Sequence, residues 1–402
     1  MQRKIVVIGA GFAGLWSALA AVRRLELEGH RGSATEVVLV APEPLLTIRP
    51  RLYEAEPETK VAPLATLFEE VGIRYVRGRV ETIRAHADEI DIVDPAGGRS
   101  TLGYDRLVLA AGSTLFRPEI PGIREFAFSA DQRDEAGALD RHLHALVQRP
   151  PSAGRDTVIV AGGGFTGIEI AAEMPARLRG ILGADANVRV IVVERADAIG
   201  PGLGAGPRPI IEQALCELGV ECRLNAAVAA ITADGLTMAD GEHIESATVI
   251  WTAGLRASPL TAQIEGDRDP CGRIRVDRNL RAPAAQRVFV TGDAAIAAAD
   301  DIGNQTLMSC QHALMLGRSA GDNAVADLLG LPLRPYSQPG YITCLDLGPW
   351  GAVVTRGWER KIWLTGAEAK AMKRSINCER IYPPTGREQA LALADPALVL
   401  SR

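Results

Sequence analysis

Two glycine-rich turns are the residues of this sequence whose types and spacing point most directly to chemistry. Each follows a short β-rich apolar run and precedes apolar residues at helical spacing, which predicts a strand, a turn and a helix. The first glycine permits a tight turn, the second lets the backbone approach a pyrophosphate, and the third lets helix and strand pack closely. One such turn can be a plain bend, but two in matching context predict two dinucleotide sites. The turns contain Gly9, Gly11, Phe12, Ala13 and Gly14, and Gly162, Gly164, Phe165, Thr166 and Gly167.

A ribose-binding carboxylate follows only one of the two turns. The strand after such a turn usually ends in Asp or Glu, whose carboxylate binds the ribose hydroxyls. Glu194 ends that strand in the second copy, whereas Ala41 occupies the corresponding position in the first. Glu43 is the nearest acid that could take over the ribose contact. The alternative is that a larger ligand, held at many other points, binds without a carboxylate contact to its ribose.

A third strand in each copy ends in a small-small-glycine turn, where it would meet the bound nucleotide. These turns contain Ala111 and Gly112 in the first copy, and Ala253 and Gly254 in the second. A later run, RVFVTGDAA, places Asp293 at the end of a strand, where open α/β sheets bind ligands. The alternative is a surface aspartate in an ordinary turn.

The order of these motifs resembles the two-dinucleotide-binding flavoproteins, the pyridine nucleotide-disulfide oxidoreductase superfamily. The motifs G-A-G-F-A-G, A-A-G, G-G-G-F-T-G, T-A-G and T-G-D follow one another as they do in that superfamily. The segments PRLYEA, GGGFTGIEIAAE, VIWTAGLRASPL and CQHALMLG are similar to the type II NADH dehydrogenases. The resemblance covers about residues 4 to 330.

The resemblance implies an α/β fold with two Rossmann-like FAD/NAD(P)-binding domains, one inserted in the other, and a C-terminal α+β cap. Residues 1–115 and 280–325 would bind FAD, and residues 116–279 would bind NAD(P)H. Residues 326–402 would form the cap or a dimerisation segment, as a small β-rich unit followed by a basic helix.

The resemblance places FAD at the first turn and a nicotinamide nucleotide at the second. Asp293 would bind the ribityl chain, and a helix beginning near Thr306 would direct its N-terminus at the flavin. NADH is favoured over NADPH, because Glu194 accepts from the ribose hydroxyls and would repel a 2′-phosphate. Further residues that the resemblance assigns to the FAD site are Arg49, Val80 and Met308.

The implied reaction passes a hydride from NADH to FAD and then electrons to a quinone or another small acceptor. The hydride step needs positioning by the protein rather than a protein acid. Glu169 matches a family glutamate near the nicotinamide and is the candidate for positioning or proton relay. The alternative is a solvated carboxylate favoured by the helix dipole. Gln311 occupies a quinone-facing position of the family, whereas Met315 replaces its second glutamine.

Cysteine positions bear on the remaining alternatives. Residues 41 to 75 contain none, which excludes the thiol relay of the disulfide reductases. A sulfide or other substrate oxidoreductase of the same fold would need two juxtaposed cysteines, and Cys344 with Cys378 is the late pair that could provide them. Cys310 and His312 lie at i and i+2 of one helix and would face different sides. A further alternative, outside the enzymes, is a redox-sensing flavoprotein with little turnover.

Composition limits the partners. The 402 residues carry a net charge of −5 at pH 7, which gives no electrostatic footprint for nucleic acid or anionic lipid. The sequence has no C-x-x-C pair to suggest a metal site, and the uncharged run near its start is better explained by the first turn than by a signal peptide. We expect a cytoplasmic homodimer. Peripheral contact with the inner membrane stays open, although the basic segment EAKAMKRSI is short for an anchor.

Overall fold

The computed structural model describes residues 2–30 and 35–398. Its strands are short and numerous, as expected of nucleotide-binding sheets with small accessory sheets. In chain order they are β1 (Arg3–Ile8), β2 (Thr35–Ala41), β3 (Leu45–Thr47), β4 (Val61–Pro63), β5 (Arg74–Arg77), β6 (Arg79–Arg84), β7 (Glu89–Val93), β8 (Arg99–Gly103), β9 (Arg106–Leu109), β10 (Ser113–Leu115), β11 (Ala127–Phe128), β12 (Thr157–Ala161), β13 (Arg189–Val193), β14 (Val220–Arg223), β15 (Val228–Thr232), β16 (Gly235–Met238), β17 (His243–Glu245), β18 (Thr248–Trp251), β19 (Leu255–Ala257), β20 (Ile274–Arg275), β21 (Arg281–Ala282), β22 (Ala285–Val290), β23 (Ala295–Ile296), β24 (Ile342–Asp346), β25 (Ala352–Arg356) and β26 (Lys361–Thr365).

The α-helices connect these strands and cover the sheets. In chain order they are α1 (Phe12–Leu27), α2 (Ala65–Val71), α3 (Ile123–Phe126), α4 (Arg133–Ala145), α5 (Ala153–Asp156), α6 (Phe165–Leu182), α7 (Arg208–Glu217), α8 (Cys310–Leu329), α9 (Gly366–Ser375) and α10 (Arg387–Leu393). A π-helical turn, Ile376–Arg380, continues α9. None of the helices in the described ranges is long and apolar enough to cross a membrane.

The first glycine turn follows the central strand of a mostly parallel sheet with the order β21-β22-β9-β1-β2-β5. In this sheet Ile5 of β1 lies opposite Val37 of β2 and Arg106 of β9. Apolar β-branched residues fill β1 and β2 because both faces of the sheet are covered. Helices α1 and α8 pack on one face, and the small sheet β6-β7-β8 packs on the other.

Helices α1 and α8 approach each other closely through glycines. A Cβ added at Gly317 or at Gly321 would clash with the backbone of Ala13 or of Ser17, respectively. Only glycine therefore permits this crossing, which fixes the N-terminal end of α8 beside the first turn.

A second parallel sheet has the order β11-β18-β12-β13-β14, and its central strand β12 leads into the second turn. The chain leaves the first sheet after β9 and returns to it at β21 and β22, so the second sheet interrupts the first in sequence. The antiparallel pair β10–β19 joins the two crossing points. The predicted α/β class with one Rossmann-like unit inserted in another is confirmed. The residue boundaries of the two cofactor domains stay predictions.

The C-terminal segment forms the antiparallel sheet β24-β25-β26, followed by α9, as the sequence predicts. The predicted helix start near Thr306 is wrong, because α8 begins at Cys310. The Ser309 hydroxyl caps this helix by accepting from the backbone N–H of His312 at 3.3 Å. The Thr306 hydroxyl instead accepts from the backbone N–H of Ala297, which keeps Thr306 in the preceding loop.

Candidate functional site

The first turn forms an open cradle at the end of β1. Gly9 has φ +106°, and a Cβ there would lie 2.5 Å from the carbonyl oxygen of Ala110. A Cβ at Gly14 would clash with the carbonyl oxygen of Gly9, so α1 can pack on the turn only with glycine there. Gly11 differs, because no described atom beyond its own neighbours in the chain lies within 4 Å of a Cβ at that position. The turn residues Phe12 and Ala13 are buried.

The second turn has the same geometry. Gly162 has φ +119°, and a Cβ at Gly167 would clash with the carbonyl oxygen of Gly162. Beyond its own neighbours, the described chain leaves the space around a Cβ at Gly164 empty to 4 Å. Phe165 is partly buried and Thr166 is exposed. Both turns therefore have the close helix packing and the open central glycine that a bound pyrophosphate requires.

Glu194 lies directly beside the second turn. Its Oε2 accepts from the backbone N–H of Gly163 at 2.7 Å, and its Oε1 accepts from the backbone N–H of Ala196 at 2.8 Å. These two bonds fix the orientation of a largely buried carboxylate. Arg195, the next residue, is exposed. The arrangement suits recognition of ribose hydroxyls, and that role of Glu194 stays a prediction.

The corresponding place beside the first turn has no carboxylate. Ala41 is buried, and its carbonyl oxygen accepts from the Tyr75 hydroxyl at 2.8 Å and from the backbone N–H of Gly78 at 3.0 Å. Glu43 is half-exposed, and its Oε2 lies 2.5 Å from Nη2 of Arg133. A ribose contact of Glu43 would compete with this ion pair, and that contact stays a prediction.

Asp293 belongs to a cluster of polar side chains at the end of β22. The Ser113 hydroxyl donates to its Oδ2 at 2.7 Å, and Arg49 Nη1 lies 3.4 Å from the same oxygen. Arg49 also donates to Ser113 at 2.8 Å and forms an ion pair with Asp131. Burial raises the pKa of Asp293, although Arg49 opposes that shift. The sequence predicted Arg49 and Asp293. Ser113 could have been found because it follows the A-A-G turn, whereas Asp131 had no local signal.

The two small-small-glycine turns meet at the junction of the sheets. Gly112 and Gly254 have φ +68° and +83°, as sharp turns after β9 and β18 require. The indole N–H of Trp251 donates to the carbonyl oxygen of Ala253 at 3.0 Å and to that of Phe116 at 2.9 Å. These two bonds join the T-A-G turn to the chain that follows the A-A-G turn. Three further residues were predicted for the FAD site. Ala111 is partly buried in the A-A-G turn, Val80 is buried in β6, and Met308 is partly buried just before α8.

Strand β24 brings the two predicted catalytic residues to one backbone. The backbone N–H of Ile342 donates to Gln311 Oε1 at 3.3 Å, and the backbone N–H of Asp346 donates to Glu169 Oε1 at 3.0 Å. Between them, Lys373 Nζ donates to the carbonyl oxygen of Cys344 at 3.0 Å. Gln311, Lys373 and Glu169 are therefore held in that order along a single strand.

Glu169 and Lys373 form a buried ion pair. Lys373 Nζ lies 2.6 Å from Glu169 Oε1, and both side chains are at most 5% exposed. Burial raises the pKa of Glu169 to about 7, although Lys373 opposes the shift. Burial also lowers the pKa of the Lys373 ammonium, but the attraction of Glu169 outweighs it and the net shift is upward. The alternative of a solvated glutamate is wrong, because Glu169 faces the interior.

The cysteines provide no reactive thiol pair. All six are free. Burial raises the pKa of Cys344 to about 12 and also raises that of Cys310, which disfavours their thiolates. Cys378 is exposed. Burial lowers the pKa of His312 to about 4, and its ring stacks on Tyr341 with centroids 4.7 Å apart. Among the described residues, no group of His, Cys, Asp and Glu could hold a metal ion.

Comparison with known proteins decides the family. The family of pyridine nucleotide-disulphide oxidoreductases matches residues 3–317. The chain belongs to this family. The superfamily predicted from the motifs is therefore confirmed, and the protein is an oxidoreductase.

The chain is similar over nearly its whole length to several characterised or classified proteins. An NADH dehydrogenase-like protein of Mycobacterium tuberculosis is 42% identical over 396 residues, with 98% of each chain covered. The demethylphylloquinone reductase of Synechocystis sp. is 28% identical over 397 residues, with 96% of this chain and 93% of that protein covered. Among solved structures, the sulfide:quinone oxidoreductase of Aquifex aeolicus has a TM-score of 0.76 at 18% identity, covering 98% of this chain and 93% of that one. The last likeness shows the fold alone.

Proposed function

We propose that the protein is an FAD-dependent dehydrogenase that oxidises NADH and reduces a quinone. Family membership and the M. tuberculosis relative support FAD and NADH as its cofactors. FAD fits the first turn, because the open face at Gly11 leaves room for a pyrophosphate and Asp293 can accept from the ribityl chain. NADH fits the second turn beside Glu194. Bound FAD supplies the two-electron chemistry that links the nicotinamide to the acceptor.

The arrangement along β24 is the observation that carries the proposal. Gln311 uses its carbonyl oxygen to accept from the backbone of Ile342, so its amide NH₂ group is the end that can donate to a quinone oxygen. Two residues further along the strand, the carbonyl oxygen of Cys344 accepts from Lys373 Nζ, which also donates to Glu169 and holds it in place. A hydrogen-bond donor and a proton-holding pair, which come from three different helices, are thus anchored to the backbone of one strand.

The proton balance explains why a buried acid is useful here. Oxidation of NADH by a quinone follows NADH + H⁺ + quinone → NAD⁺ + quinol, so one proton must come from the solvent for each turnover. A general acid works best when its pKa lies near the operating pH. Glu169 meets this condition with a pKa of about 7, and Lys373 keeps a positive charge beside it when the proton leaves.

Oxidation of sulfide is less well supported. That chemistry needs a cysteine pair, and the candidates differ in environment, because Cys344 is partly buried with a raised pKa whereas Cys378 is exposed. No disulfide joins them. A redox sensor with little turnover would use the same cofactor sites, so only turnover distinguishes it from an enzyme.

Steady-state NADH oxidation with short-chain quinones, in the absence of lipid, tests the proposal. We expect Gln311→Ala to raise the quinone KM by roughly three- to tenfold, the loss of one hydrogen bond. Anaerobic reduction of the flavin by NADH should not change. Gln213→Ala is the matched control, because Gln213 lies on α7 and donates to Glu217. Reduction of the quinones by sulfide in place of NADH would favour the sulfide reaction, and negligible turnover with every acceptor would favour a sensor.

The assembly and location of the protein are part of the proposal. We infer a cytoplasmic homodimer that reaches membrane quinones by peripheral contact. Sedimentation analysis of the purified protein tests the dimer, and flotation with anionic and neutral vesicles tests the contact. A monomer, or a protein that stays in the lower fraction with both kinds of vesicle, would contradict the corresponding part.

A further inference from the structure

Asp346 connects the buried Glu169–Lys373 pair with the protein surface. Its backbone N–H donates to Glu169, while its carboxylate accepts from the Tyr53 hydroxyl at 3.0 Å and from Lys370 Nζ at 2.5 Å. The Asp346 side chain is 7% exposed and that of Lys370 is 30% exposed. One residue therefore touches the interior acid on one side and a solvent-facing cation on the other.

Lys370 lines an open groove with a volume of about 620 Å³. Helix α9 presents Lys370 to this groove and Lys373, one turn further on, to the interior. Because Glu169 and Lys373 are themselves almost completely buried, a proton from water needs polar groups to reach them. The Lys370–Asp346 ion pair lies at the edge of the groove, and Asp346 reaches Glu169 through its backbone N–H. Other residues that line the groove are Trp350, Arg374, Ser375 and Cys378.

We propose that Asp346 and Lys370 are positioning residues for the proton-coupled step, which hold Glu169 ready to take up a proton from the groove side. This inference rests on the proposed function, because that reaction consumes one proton for each NADH oxidised. The proton passes from water to Glu169 and from Glu169 to the acceptor oxygen, while the electrons come from NADH. No further oxidant or reductant is needed.

The charges of Asp346 and Lys370 should have opposite effects on the pKa of Glu169. The negative carboxylate of Asp346 favours the protonated form of Glu169. Lys370 pairs with that carboxylate, so its positive charge should weaken this influence. Removing the charge of Asp346 should therefore make Glu169 release its proton at lower pH, and removing the charge of Lys370 should have the reverse effect. The titratable groups near Glu169 on the elements packed around it are Lys373, Asp346, Tyr53, Cys344, Glu173 and Lys370.

The test compares Asp346→Asn with Lys370→Met in the FAD-loaded protein. Two quantities are followed against pH: the rate at which a short-chain quinone reoxidises the flavin, and the infrared band of the protonated Glu169 carboxyl, identified by its loss in Glu169→Gln. We expect the midpoint of both to move down by a few tenths of a pH unit in Asp346→Asn and up by a smaller amount in Lys370→Met, because Lys370 is partly exposed. The rate of flavin reduction by NADH should stay the same.

Lys361→Met is the matched control, because Lys361 lies at the start of β26, is 80% exposed and pairs with Glu359. It should leave both midpoints in place. Shifts in the same direction for the two variants, or no shift in either, would overturn the inference. The infrared titration needs no acceptor, so the inference can be judged even if no quinone reoxidises the flavin and the proposed function fails. Lys370 is only partly buried, so Lys370→Met should fold and tests the direction of the pKa shift even if Asp346→Asn does not fold.

Discussion

Replacement of Glu169 by glutamine should change the pH dependence of stability. The pKa of Glu169 is about 7 in the folded protein and 4.5 in its ordinary range, so the folded protein keeps a proton that the unfolded chain has already released. The free energy of unfolding therefore falls as pH rises from about 4.5 to about 7. Each unit of difference corresponds to about 1.4 kcal/mol, so the full effect is roughly 3 kcal/mol. Glutamine cannot titrate and should abolish this contribution.

Urea unfolding of the FAD-loaded protein at several pH values measures the effect. Only the difference between wild type and Glu169→Gln matters, because the other titrating groups are common to both proteins. We expect wild type to lose roughly 3 kcal/mol relative to the variant between pH 4.5 and pH 7. Glu265→Gln, at an exposed glutamate, should follow the wild-type slope. Parallel curves for wild type and Glu169→Gln, or a relative gain for wild type with rising pH, would refute the reasoning.

Other predictions concern the cofactors and the acceptor. Purified protein should be yellow. Gly11→Val should abolish flavin absorption, because a side chain would fill the open face of the first turn. Gly180→Val, at an equally open position near the end of α6, should retain flavin absorption. NADH should be used at least tenfold more efficiently than NADPH, and Glu194→Ala should narrow that ratio, as measured by kcat/KM. Met315→Gln should shift the preference among quinones, measured as relative kcat/KM, because it replaces a buried thioether with an amide.

The two turns could be predicted from the sequence because their function depends on local spacing. Gly11 and Gly164 lie where the motif requires an open backbone, and the structure leaves both open. The buried pair could not be predicted in the same way. Glu169 was singled out by resemblance, but Lys373 lies 204 residues further along the chain and only the tertiary fold brings them together.

Two local features depend on interactions that the neighbouring sequence does not reveal. The sequence predicts too early a start for α8, because several polar residues before it could cap a helix and only the structure shows that Ser309 does so. The ribose contact of Glu43 stays a prediction that rests on proximity in sequence alone. In the structure Arg133, from a helix far along the chain, pairs with its carboxylate. Such competition between partners is set by tertiary packing and has no signature in the sequence around Glu43.

Rapid mixing under anaerobic conditions tests the central proposal most directly. Protein is first mixed with NADH while the flavin absorbance is followed, and the reduced protein is then mixed with a short-chain quinone. We expect NADH to bleach the flavin absorbance in the first mixing and the quinone to restore it in the second. The rate of this recovery should fall as pH rises through about 7, because Glu169 loses its proton. Bleaching by NADH without recovery with any quinone would contradict the proposed quinone reductase activity. A protein without flavin absorbance would contradict the account as a whole.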